Sequence, residues 1–168
     1  MYIDITSVVI GIASLATFAV PIGYDQIKVK RFRRNAERNF EKASSDLGFT
    51  RGSFDVLQNG AAIGIGLNNE ELLYAKSDSN YQLIELNRVT TCRSYKNETA
   101  VTGNDGHQQV HKEMGIKVHI RNSEDVKLPV FQGRDGFQRG DESMIIERWM
   151  SNIIKASRSA SQTNKPSA

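Results

Sequence analysis

The feature that most limits what this chain can be is the stretch from Ile5 to Tyr24, ITSVVIGIASLATFAVPIGY, which carries no charged side chain. About 20 residues rising 1.5 Å each make a helix that matches the roughly 30 Å hydrocarbon core of a bilayer. No polar face recurs at helical spacing, so a buried helix of a soluble domain fits less well than a transmembrane helix over residues 1–25. A cleaved signal peptide would want Lys or Arg ahead of the run, and Met1, Tyr2, Ile3 and Asp4 supply none. Ser7, Gly11 and Ser14 share one helical face, the small-residue spacing at which two membrane helices can approach as a homodimer.

Charge then orients the chain. Residues 26–47 hold seven Lys and Arg against three acidic residues, whereas residues 48–168 hold 15 against 14. The cations Lys28, Lys30, Arg31, Arg33 and Arg34 directly follow the apolar run, so the positive-inside rule puts the N-terminus outside and the remainder in the cytoplasm. These five are expected to lie against an anionic lipid surface, where each contributes about 1 kcal/mol. A nucleic-acid-binding domain would carry its excess charge on the folded part, which is nearly neutral here, so no nucleic acid is expected as partner. Phe32, Ala36, Phe40 and Ala43 recur at four- and three-residue steps and predict a basic juxtamembrane helix over 26–48. Its apolar stripe faces either the membrane interface or the domain that follows.

From Phe49 the pattern changes to alternation broken by turn residues. Residues 60–67 and 71–76 read as a hairpin turning at Asn68-Asn69, with further strands at 81–86, 89–96, 114–121 and 126–131. Residues 97–112 either extend their neighbours as a hairpin or form a loop. Asp141 is an N-cap, and Ile145, Ile146, Trp149, Met150, Ile153 and Ile154 form the apolar face of a helix ending near Ser157. Residues 159–168 read as a disordered tail. The expected class is α+β, with six to seven antiparallel strands curled under a C-terminal amphipathic helix over residues 49–158.

This order of elements, closing on the Trp149 helix, resembles a pleckstrin-homology-like (PH-like) domain, a β-barrel plugged by its last helix. The whole chain also looks like small bacterial or prophage-encoded single-pass inner-membrane proteins of unknown function. Lipid-reading members of that fold carry cations in the first hairpin loop, where this chain has Leu67-Asn68-Asn69-Glu70-Glu71. The resemblance therefore implies a docking scaffold that recruits or inhibits a protein partner at the membrane, without enzymatic activity.

Residues with chemical potential are few. His107 and His111 stand four apart, but Gly103, Gly106 and Gly115 deny them a helix. With His119 they support, as the alternative function, a membrane-tethered metal-dependent hydrolase; the preferred reading needs no metal and no cofactor. Gly133, Gly136 and Gly140, with Arg134 and Arg139, precede the last helix and read as either an anion-binding loop or a flexible one whose helix donors Asp141 already occupies. Cys92, the single cysteine, sits mid-strand and is expected to be a packed thiol in a reducing compartment.

Overall fold

The computed structural model describes residues 29–77, 79–102, 108–134 and 140–163. The chain divides into two compact units, Met1–Asn35 and Ala36–Ala168. Of the first, the described residues 29–35 are helical and exposed, including Val29 and Phe32, each about half exposed. They open helix α1, residues 29–47, whose remaining turns belong to the second unit.

The second unit adds seven strands and a C-terminal helix: β1 (Arg51–Val56), β2 (Ala62–Gly66), β3 (Glu71–Ser77), β4 (Asn80–Glu85), β5 (Val89–Thr102), β6 (Gln108–Ile120), β7 (Val126–Arg134) and α2 (Glu142–Thr163). A single 3-10 turn, Leu86–Arg88, separates β4 from β5. The turns fall where Asn tolerates a left-handed backbone, at Asn69 between β2 and β3 and at Asn122 between β6 and β7.

The expected PH-like barrel or single curled sheet is not what these strands form. They make two antiparallel sheets, β1-β2-β3-β4 and β5-β6-β7, with no ladder from β4 to β5 or from β7 to β1. The physical reason lies in the 3-10 turn. It redirects the chain while Leu86 and Val89 are buried in the core, so β5 leaves for a second layer instead of pairing with β4. The expected N-terminal transmembrane helix is also not shown. Residues 5–24, with Ser7, Gly11 and Ser14, lie outside the described residues, and no helix among the described residues is long and apolar enough to cross a membrane.

The central strands of the first sheet, β2 and β3, are buried on both faces, and their sequence explains how. Along β2 and β3, Ile63, Ile65, Leu72 and Tyr74 join the main core with Ile116, Val118, Leu128, Val130, Trp149 and Ile153. The alternate residues Ala62, Leu73 and Ala75 face Phe40 and Ala43 of α1. Small residues dominate this second face, so the helix settles close to the sheet. At Gly64 a Cβ would stand 2.6 Å from Cζ of Phe40. The Phe40 ring packs edge-on against Phe49 and tilted against Phe54, with centroids 5.9 and 4.7 Å away.

Helix α2 runs to Thr163, past the predicted end near Ser157 and into the predicted tail. Trp149, Ile153, Ala156 and Ala160 are all buried, a stripe at three- and four-residue steps that small residues carry through the last turns. Trp149 Nε1 donates to Asp55 on β1 at 3.1 Å, and Arg148 pairs with the same carboxylate. Ahead of the helix, the Asp141 carbonyl accepts the first helical bond from Ile145, and its carboxylate accepts from Gln58 at 2.7 Å.

Candidate functional site: the outer face of the second sheet

The second sheet has one covered face. Cys92, Ile116, Val118, Leu128 and Val130 point into the core, and alternation sends their neighbours to the opposite side. Strand register decides which of those neighbours meet. Arg93 pairs with Lys117, and Lys117 pairs with Lys127, so three cations stand directly opposite one another across all three strands. Like charges in this arrangement oppose folding by roughly 0.2–1 kcal/mol per pair.

Two carboxylates border the row, and both are engaged. Asp125 accepts from Lys117 Nζ at 2.8 Å and from His119 Nδ1 at 2.6 Å. The Lys117 hydrogen bond holds the Asp125 carboxyl below its usual range against an opposing burial effect, with the charges of His119 and Lys117 adding to the lowering. His119 Nε2 is buried without a hydrogen-bond partner. Glu113, on the other side, accepts from the Tyr95 hydroxyl at 2.9 Å and from Gln132 at 2.6 Å. Among the described residues, neither Arg93 nor Lys127 has a carboxylate within ion-pair distance.

Tyr95 is fixed between these groups. Lys127 Nζ lies 5.8 Å from its ring centroid, and Gly115 leaves the ring room, since a Cβ there would come within 2.8 Å of Tyr95 and 2.3 Å of the Leu128 carbonyl. Burial, then the Glu113 hydrogen bond and charge, drives the Tyr95 phenol strongly upward, so it stays a donor to Glu113. Beyond it a cleft of about 650 Å³ opens over the distal hairpin, lined by Asn97, Thr99, His111, Lys112, Glu113, Gln132 and Gly133.

The site is braced against the first sheet. The Tyr74 hydroxyl on β3 donates to the Pro129 carbonyl on β7 at 2.8 Å, Asn59 donates to the same carbonyl at 2.6 Å, and Lys76 reaches Gln132 at 3.2 Å. Burial pushes the Tyr74 hydroxyl up to about 12. The arrangement offers two exposed cations without a carboxylate partner among the described residues, Arg93 and Lys127, beside the Asn97 amide: groups able to hold an anionic ligand.

The residues singled out from sequence lie elsewhere. Lys30, Arg31, Arg33 and Arg34 are exposed on the first turns of α1, and Lys28 lies outside the described residues. Arg139 is outside them too, and Arg134 is placed only by its backbone, opposite His111. His107 is likewise outside, and His111 and His119 stand on different rungs of β6. No group of three metal-ligating side chains occurs among the described residues. Cys92 is buried on the core face, where burial pushes its thiol up to about 11.

Sequence reasoning missed the cation row. The alternation placing Arg93 beside Tyr95, and Lys117 beside His119, was readable in each strand, but pairing between strands was not. No protein-family model matches the chain, and neither a curated protein nor a solved structure matches it significantly.

Proposed function

We propose that the chain is a docking module that captures an acidic segment of a protein partner on the outer face of its second sheet, and that recruitment or inhibition of that partner is its work. The observation that carries this reading is the in-register row Arg93, Lys117 and Lys127, of which only Lys117 is neutralised among the described residues. Such a row weakens the fold and gains its use when an anionic ligand covers it. Strands about 4.8 Å apart set its outer cations roughly 10 Å from each other. An extended peptide crossing the strands presents same-side carboxylates about 7 Å apart, within reach of long Lys and Arg side chains. Asn97, four residues along β5 from Arg93 and on the same face, supplies an amide group for its backbone.

Nucleic acid fits this face less well. Single strands bind by base stacking on free aromatic faces, and Tyr95 has Lys127 over its ring and its hydroxyl on Glu113. Glu113 would also interrupt a track of phosphates.

The test is fluorescence anisotropy of the full chain with a labelled peptide of alternating Glu and Ser, run beside oligo(dT) and anionic phospholipid vesicles. The expected result is salt-sensitive binding of the peptide, weakened about tenfold or more by Arg93→Glu with Lys127→Glu and unchanged by Arg31→Glu with Arg34→Glu. Stronger binding to oligo(dT) or vesicles than to the peptide, or peptide binding that follows the α1 substitutions, overturns the reading.

A further inference from the structure

The second sheet ends in an edge protected by neither shortness, proline nor a bulge. Natural edge strands are blunted by those three devices or by charged side chains. Three of the four edges here use one of the first three. β4 has six residues, β1 carries a register break between Arg51 and Phe54, and β7 contains Pro129 opposite a break between Met114 and Gly115. β5 differs. It is 14 residues long, has no proline, and pairs with β6 without interruption from Thr91 to Thr102, leaving its other edge without a strand neighbour among the described residues. From Arg93 to Ala100 its side chains are exposed, Tyr95 alone being half-buried.

The charges on this edge are arranged for one particular neighbour. Lys96 and Glu98 flank Asn97 and form an ion pair of 2.9 Å on the surface of the strand. Antiparallel addition of the same strand about Asn97 sets Lys96 opposite the partner's Glu98, and Glu98 opposite the partner's Lys96. The four charges then alternate in sign. The flanking rungs match Tyr95 with Thr99 and Ser94 with Ala100, without a like-charged pair or a proline. Moving the centre one residue to either side brings Lys96 against Lys96 or Glu98 against Glu98, which is destabilising. The edge thus accepts its own sequence in one register and resists the neighbouring symmetric ones.

We infer that β5 pairs with β5 of a second copy of this chain, antiparallel and centred on Asn97, joining two three-stranded sheets into one of six strands. The interface is isologous, as two-fold dimers require, and the backbone ladder supplies its cohesion. Residues directly opposite in an antiparallel pair share a face, so the outer faces of both copies lie on the same side of the joined sheet. Two cation rows then face one way, which suits a partner with two acidic segments.

Sedimentation velocity of the full chain across the micromolar to sub-millimolar range tests this, with circular dichroism confirming that each variant is folded. The wild type is expected to dimerise. Lys96→Glu alone and Glu98→Lys alone each weaken the dimer about tenfold or more. An equimolar mixture of the two variants restores it as a heterodimer, because each mixed rung then holds opposite charges, and the double variant restores it as a homodimer. A wild type that stays monomeric, a dimer indifferent to both single substitutions, or a mixture that fails to recover association overturns the inference. Peptide binding is a separate readout: loss of the dimer with retention of peptide binding leaves the docking proposal intact, and the reverse holds equally.

Discussion

Gly64 should be a glycine because of one ring on another element. Its backbone is not among the left-handed glycines, so alanine is conformationally permitted there. The obstacle is spatial: an added Cβ stands 2.6 Å from Phe40 Cζ and 3.1 Å from the Ser53 carbonyl. Restoring ordinary contact with the ring takes a shift of about 0.8 Å. Phe40 is fully buried between Phe49 and Phe54 and has little room to turn aside. Overpacking of this kind costs about 1–3 kcal/mol, against roughly 0.5–1 kcal/mol gained by replacing glycine inside a strand. Gly64→Ala should therefore destabilise by about 1–2 kcal/mol.

Phe40→Leu removes the offending atom and leaves the Ser53 contact as it was. In that background Gly64→Ala should be nearly neutral, giving a coupling of at least about 1 kcal/mol in a double-mutant cycle. Trp149 is the sole tryptophan, 2% exposed, and its fluorescence during urea unfolding reports the loss of the core. An equal cost of Gly64→Ala in both backgrounds would show that α1 does not set the residue at this position, and the account of the doubly buried strands would fail.

Three further outcomes follow from the packing. Asp55→Ala strands the buried Trp149 Nε1–H and should cost about 1–3 kcal/mol in urea unfolding, whereas Asp55→Asn keeps an acceptor and should cost less than half as much, since the exposed Arg148 pair adds little. The Tyr74 hydroxyl ionises near 10 when unfolded and near 12 when folded, so its contribution is whole below pH 10 and disappears as pH rises through 12. Alkaline unfolding should lose up to about 3 kcal/mol over that window, and Tyr74→Phe should flatten this part of the slope while lowering stability at neutral pH. Ala160→Asp buries a carboxylate in the last turns of α2 and should cost about 2 kcal/mol or more, where the exposed neighbour Ser159→Asp costs under 0.5 kcal/mol; equal effects would mean that these turns are not packed.

The sequence by itself determined those features whose cause is local. The hairpin at Asn68-Asn69 and the strands beginning at Asn80, Val89 and Val126 were legible because alternation and turn residues act over a few neighbours. So was the helix carrying Trp149, whose large residues recur at helical spacing. Strand β1 was not singled out, since Arg51-Gly52-Ser53 lacks an apolar alternation and pairs only because β2 offers its edge. The end of α2 was placed too early because Ala156 and Ala160 bury little area each and read as neutral until a surface is pressed against them.

Tertiary structure alone decided three things. It divided the strands into two sheets at the Leu86–Arg88 turn, laid α1 on the small-residue face around Gly64, and aligned Arg93, Lys117 and Lys127 in one row. Each depends on register between segments far apart in the chain. A shift of one residue moves every side chain of a strand to the opposite face, and nothing within a single strand reports where its neighbour will start.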